Sequence, residues 1–128
     1  LGARFPAPMR AAWRAEGALE VVNSRTGQVL TIGTTALDDL EAHLEDYAPV
    51  HLAPEITTPW LVVHGTEDRT VPFAEAEAVA QAGRPDRVRL CPIPGGDHTM
   101  GIIHPYQKST AQLDQAVQAT LDFLGEPD

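Results

Sequence analysis

The chain has few of the residues on which several classes of site depend. Its single cysteine, Cys91, cannot form a disulfide within the chain, and one thiolate cannot build a zinc cluster. No apolar run reaches the roughly 20 residues that a membrane-spanning helix needs. Lys and Arg number 9 against 18 Asp and Glu, so the net charge is −9. We therefore expect no membrane partner and no nucleic acid partner, because such a surface repels phosphate groups.

The histidines are not spaced as metal ligands, so we expect neither a metal nor another cofactor. A length of 128 residues is that of one domain. A cytoplasmic location is the default expectation, since a single cysteine is compatible with a reducing compartment. The chain begins at Leu1 without an initiator Met, so a signal peptide would have to precede it.

Residues 1–58 predict a helix, a β-hairpin and a second helix. Early prolines and a closing Gly17 frame good helix formers at 6–16. Two β-rich runs, 19–23 and 28–32, then flank a polar turn that ends in glycine. This order predicts an antiparallel hairpin.

The second helix is predicted to have Thr34 or Thr35 as its N-cap. Its apolar residues at helical spacing are Leu37, Leu40, Leu44 and Tyr47. We expect Asp38 and Asp39 in its first turn, where the helix dipole favours negative charge.

Residues 59–128 predict a strand-helix-strand-helix unit. A continuous apolar run at 60–64 is typical of a strand covered on both faces. A helix at Phe73–Ala82, a second strand at Val88–Ile93 and a last helix at 113–124 follow. Because a βαβ connection joins parallel strands, functional residues are expected in the loops at the strand ends. The predicted fold class is α/β.

Two side chains capable of acid–base chemistry occupy these loops. Asp68 follows the first strand, and His98 lies in the glycine-rich loop after the second. Taken alone, Asp68 could be a turn aspartate bonded to its own backbone, Glu67 is a rival carboxylate, and a lone loop histidine is often only solvent-exposed. Their positions after neighbouring strands predict instead that the carboxylate of Asp68 meets the ring of His98.

These motifs resemble those of the α/β-hydrolase family. The stretch PWLVVHGTEDRTVP at 59–72 resembles the family's acid strand and loop, and GGDH at 95–98 resembles its histidine loop. The upstream part is similar to the segment that precedes this strand in the dienelactone-hydrolase and prolyl-oligopeptidase-like branch. The resemblance implies the C-terminal portion of an α/β-hydrolase sheet, in which Asp68 is the acid and His98 the base of a Ser-His-Asp triad.

The family's nucleophile motif is missing from this sequence. No Gly-x-Ser-x-Gly occurs, and neither Ser24, in the hairpin turn, nor Ser109, before the last helix, lies on a strand-to-helix elbow. Cys91 lies within a strand, where a small buried residue is the ordinary expectation. We therefore expect the nucleophile and the oxyanion-hole donors outside this chain, and the isolated chain to be inactive.

Four other histidines are weaker candidates. His64 ends the buried strand and is expected to pack there or to support the site. His104 is a candidate for lining the substrate pocket, and its alternative is simple loop packing. His43 and His51 fit surface positions.

The resemblance implies hydrolysis of ester-like acyl bonds in a small-molecule substrate, as in a carboxylesterase. A serine peptidase of the prolyl-oligopeptidase type is the alternative within the same class. A non-catalytic truncated or split fragment, which only folds and associates, is the alternative from another class. A Gly-x-Ser-x-Gly encoded upstream would favour the enzyme.

The strand at 60–64 is internal in the family, but this sequence supplies only one neighbour for it. Unpaired N–H and C=O groups along an apolar strand are a template for pairing. We therefore expect either the missing N-terminal half or a homo-oligomer to cover the open sheet edge.

Overall fold

The computed structural model describes residues 5–23 and 26–126, which form two compact units divided between Ala48 and Pro49. The sequence prediction drew the boundary at 58/59, directly before the strand that leads to Asp68. A short helix and a turn that precede this strand group with the second unit, because both pack on its first long helix.

The first unit is a β-hairpin with a helix at each end. Its elements are α1 (Ala7–Glu16), β1 (Ala18–Val22), β2 (Val29–Gly33) and α2 (Thr34–Ala42). The strands are antiparallel, with Leu19 opposite Ile32. Trp13 of α1 is buried and donates its indole N–H to the carbonyl of Ile32 at 2.8 Å, which ties the helix to the hairpin. The predicted turn residues Ser24 and Arg25 lie outside the described residues.

The second helix is shorter than its apolar spacing predicts. It ends at Ala42, so Leu44 and Tyr47 lie beyond it and are exposed. Leu37, by contrast, is fully buried. Apolar periodicity extends a helix only where the apolar face is buried, and the last two residues of the pattern remain exposed. The N-cap is Gly33, so the predicted cap at Thr34 or Thr35 is wrong. Because the helix already begins at Thr34, the two acids predicted for its first turn fall in the second.

The second unit contains the parallel sheet. Its elements are α3 (Pro49–Leu52), a 3₁₀ turn (Ala53–Glu55), β3 (Trp60–Gly65), α4 (Phe73–Ala82), β4 (Val88–Ile93) and α5 (Ala111–Gly125). Strands β3 and β4 are parallel, in a register that places Gly65 opposite Ile93. The predicted α/β class is confirmed, and the unit is compatible with part of an α/β-hydrolase.

Side-chain hydrogen bonds hold both ends of helix α5. The side chain of Thr110 accepts from the amide of Leu113 and donates to the carbonyl of Met100, which links the helix to the loop after β4. At the other end, Arg89 of β4 makes two hydrogen bonds to the carboxylate of Glu126. Within residues 5–23 and 26–126, no helix has both the length and the apolar character needed to cross a membrane.

Candidate active site

The loops after β3 and β4 continue the pairing of their strands. The amide of Thr66 donates to the carbonyl of Ile93 at 3.0 Å, and the amide of Glu67 donates to that of Gly96 at 2.9 Å. The hydroxyl of Thr66 accepts in turn from the amide of Gly95. Two loops that are distant in sequence are therefore held side by side at one edge of the sheet.

This approach depends on glycine at two facing positions. A Cβ on Gly65 would lie 2.1 Å from the carbonyl oxygen of Gly96, and a Cβ on Gly96 would lie 3.1 Å from the Cα of Gly65. The first distance is far inside van der Waals contact, so a side chain at Gly65 would force the loops apart. Glycine permits this close backbone approach.

Asp68 is buried in the first loop, with a side chain only 4% exposed. Its Oδ1 accepts from the amides of Thr70 at 2.8 Å and Val71 at 2.9 Å. Its Oδ2 lies 2.9 Å from Nδ1 of His98. Burial acts to raise the pKa of the carboxyl, but the hydrogen bonds from Val71, His98 and Thr70 outweigh it and lower the pKa to about 2. Asp68 is thus an ionised carboxylate at neutral pH.

His98, unlike Asp68, is partly exposed to solvent. Its side chain is 50% exposed. Because the ionised carboxylate of Asp68 can only accept, the hydrogen bond places the ring proton on Nδ1 and leaves Nε2 as the acceptor. A neutral imidazole in this tautomer can take a proton from an approaching hydroxyl.

Asp97 shapes the loop that carries His98. Its Oδ1 accepts from the amides of Gly101 and Thr99 and from the hydroxyl of Thr99. The hydrogen bonds from these two amides lower the pKa of Asp97, and the one from Gly101 has the larger effect. Met100 completes the turn at a φ of 53°, in the left-handed region. Asp97 was not among the residues predicted for the site, although an aspartate followed by polar and glycine residues is a known turn signal.

The structure separates the two rival carboxylates. Asp68 lies beside His98, whereas the side chain of Glu67 is exposed. The catalytic roles of Asp68 and His98 stay predictions, but the carboxylate–imidazole contact that they require is present.

Three weaker candidates from the sequence lie outside the Asp68–His98 contact. His104 and Ser109 are exposed in the long loop before α5, and the hydroxyl of Ser109 donates to Asp114. Cys91 is half-buried within β4. Ser24 lies outside the described residues. Across the described part of the chain, no three His, Cys, Asp or Glu side chains form a group that could hold a metal ion.

His64 is closer to the pair than the sequence indicated. Its Nε2 lies 3.4 Å from Oδ2 of Asp68 and 2.9 Å from the carbonyl oxygen of Val71. The four-residue spacing between His64 and Asp68 was the available signal, but a spacing across a strand end does not fix a contact.

Comparison with known protein families gives a match over nearly the whole chain. The model of the prolyl oligopeptidase family matches residues 3–126. No curated protein matches the chain.

The Gly65–Gly96 contact leads to a prediction about the loops. We expect Gly65→Ala to lower the free energy of unfolding by about 3 kcal/mol, the upper end of typical overpacking costs, because the clash is with backbone. Gly125→Ala is the control, since a Cβ there meets nothing within 4 Å. Urea denaturation measures both variants, and similar stabilities would contradict the prediction.

The pKa of Asp68 leads to a prediction about acid stability. It is about 2 in the folded chain against an ordinary value of 3.8, so the ionised group stabilises the fold above about pH 4 and this contribution disappears as the pH falls towards 2. Asp68→Asn cannot be protonated, so we expect it to lose less stability over that interval. Asp97 is present in both proteins, and the charge of Asp68 is the smallest of the influences on its pKa, so its contribution changes little. Urea midpoints measured across the interval test this, and parallel pH dependences would refute it.

Proposed function

Since the chain belongs to the prolyl oligopeptidase family, a family of serine hydrolases with the α/β-hydrolase fold, we propose that Asp68 and His98 are the acid and the base of a Ser-His-Asp triad. The reaction is hydrolysis of an ester-like acyl bond. The observation that carries the proposal is the 2.9 Å contact between Nδ1 of His98 and Oδ2 of Asp68.

In the proposed mechanism the nucleophile is a serine outside this chain. Nε2 of His98 takes the hydroxyl proton as the serine oxygen attacks the acyl carbon, and it gives that proton to the leaving group as the acyl bond breaks. Water then attacks the acyl-enzyme by the same route and releases the acid. Asp68 holds the imidazole in the Nδ1–H tautomer and stabilises the imidazolium that forms in each step.

The family match favours a second candidate function, that of a serine peptidase. In that case the serine attacks the acyl carbon of a peptide bond. The chemistry of Asp68 and His98 is the same for an ester and for an amide, and the more basic amine leaving group depends more strongly on the proton from His98. Comparing hydrolysis of an activated ester with that of a peptide anilide distinguishes the two.

Strand β3 indicates how the nucleophile would be supplied. In the described part of the chain it pairs only with β4, so one edge has no strand beside it. A groove of about 330 Å³ lies between β3 and α5, lined by Val63, Met100, Ala116, Val117, Thr120 and Leu121. Val117 and Leu121 are 49% and 58% exposed. We propose that the N-terminal half of the hydrolase, with the serine, pairs with this edge and covers the groove.

The triad proposal predicts the effect of two substitutions in the protein that contains the serine. Asp68→Asn and His98→Ala should each reduce turnover by roughly 10⁴-fold, because the first disturbs the tautomer and the second removes the base. Both lie in loops, so far-UV circular dichroism should change little. Glu67→Gln is the control. A large loss for Glu67→Gln with normal rates for Asp68→Asn would show that the wrong carboxylate was chosen.

The open edge predicts the behaviour of the chain without the other half. We expect it to associate in solution, because exposed strand and helix surfaces pair, and to hydrolyse no activated ester until the upstream half is added. Light scattering gives the mass. Leu121→Lys should reduce association, and Leu44→Lys, at an exposed leucine of the other unit, should not.

Three outcomes would count against these proposals. A monomer with an exposed edge would refute association. Turnover by the isolated chain that His98→Ala abolishes would refute a nucleophile elsewhere. No turnover with the upstream half present would favour the non-catalytic fragment.

A further inference from the structure

His64 is the last side chain of β3 before Gly65, and it is largely buried. The side chain is 15% exposed, against 50% for His98. Its ring lies beside Phe73 of α4, with 6.0 Å between the ring centroids. The simplest interpretation is that His64 fills space between strand and helix. The contacts of its Nε2 atom indicate an additional role.

Nε2 of His64 faces two acceptors. It lies 2.9 Å from the carbonyl oxygen of Val71 and 3.4 Å from Oδ2 of Asp68. Since a carbonyl oxygen can only accept, Nε2 must carry the ring proton. The carbonyl takes the shorter hydrogen bond, and Oδ2, the oxygen that also meets His98, lies beside the same N–H.

Val71 connects the two acceptors. Its carbonyl accepts from His64, while its amide donates to Oδ1 of Asp68 at 2.9 Å. Fixing Val71 therefore fixes one of the two amides that orient the carboxylate. With Oδ1 held on these amides, Oδ2 is directed at His98.

We propose that His64 is a positioning residue, whose Nε2–H anchors Val71 and flanks Asp68 so that the carboxylate stays turned towards Nδ1 of His98. It does not touch the reacting atoms. This inference rests on the function proposed above, in which His98 must carry its proton on Nδ1 for Nε2 to act as the base.

The test reads the tautomer of each histidine by NMR in the chain labelled with nitrogen-15 histidine. His64→Phe retains a ring beside Phe73 but has no donor, whereas His64→Gln places an amide N–H near the position of Nε2. We expect His64→Phe to abolish the preference of His98 for a proton on Nδ1 and His64→Gln to retain it. His43→Phe, at an exposed histidine of the other unit, should leave His98 unchanged.

The same variants separate positioning from packing in the protein that contains the serine. A positioning role predicts that His64→Phe lowers kcat with KM unchanged and that His64→Gln restores it, because the donor and not the ring is needed. An unchanged His98 tautomer in His64→Phe would overturn the proposal. Equal losses in the two variants would also overturn it, since the shape of the ring would then be responsible.

The unsubstituted chain decides the matter if His64→Phe does not fold. If the ring proton of His64 is on Nδ1 and not on Nε2, the proposal is contradicted. If it is on Nε2, and the tautomer of His98 is unchanged in His64→Gln, the proposal is supported. A His98 without a proton on Nδ1 would refute the proposed function as well. A His98 that keeps this proton whatever replaces His64 would refute only the positioning role.

Discussion

Parallel pairing between β3 and β4 continues past the ends of both strands, and the geometry of the site depends on it. Backbone hydrogen bonds from Thr66 and Glu67 hold the acid loop against the histidine loop. These bonds form only because the facing positions, Gly65 and Gly96, have no side chains to separate the two backbones. The sheet thus acts as a rigid support that fixes the distance between two loops distant in sequence, as is common for functional loops on α/β folds.

Burial of a carboxylate is costly unless hydrogen bonds replace the lost water. Asp68 meets this condition through two backbone amides on one oxygen and an imidazole on the other. The amides come from its own loop, so the charge is stabilised by the same turn that buries it. His98 stays half exposed, so in the proposed function the buried acid sets the tautomer and the exposed ring reaches the substrate.

In the proposed function, the second unit supplies two parts of a hydrolytic site, on a sheet that the described residues cover incompletely. Strand β3 has a single neighbour among the described residues, and α5 exposes Val117, Leu121 and Leu124. Water is a poor partner for such a surface. In the proposed function the N-terminal half that carries the serine pairs with this same edge. Its binding would therefore bury the exposed apolar surface and complete the triad together.

The sequence by itself determined most elements, because helices and strands depend on short-range periodicity and on glycine and proline signals. It located Phe73–Ala82 and Val88–Ile93 with the bounds that the structure has, and the family resemblance selected Asp68 and His98. It failed at Tyr47, since whether an apolar residue extends a helix depends on what packs against it. Tertiary structure alone decided the contact of Gly65 with Gly96, the oxygen of Asp68 that meets His98, and the place of His64 beside Asp68. The first two are distances of a few ångströms between separate segments, which the pairing of β3 with β4 fixes. The third depends on how the loop after β3 turns back towards its own strand.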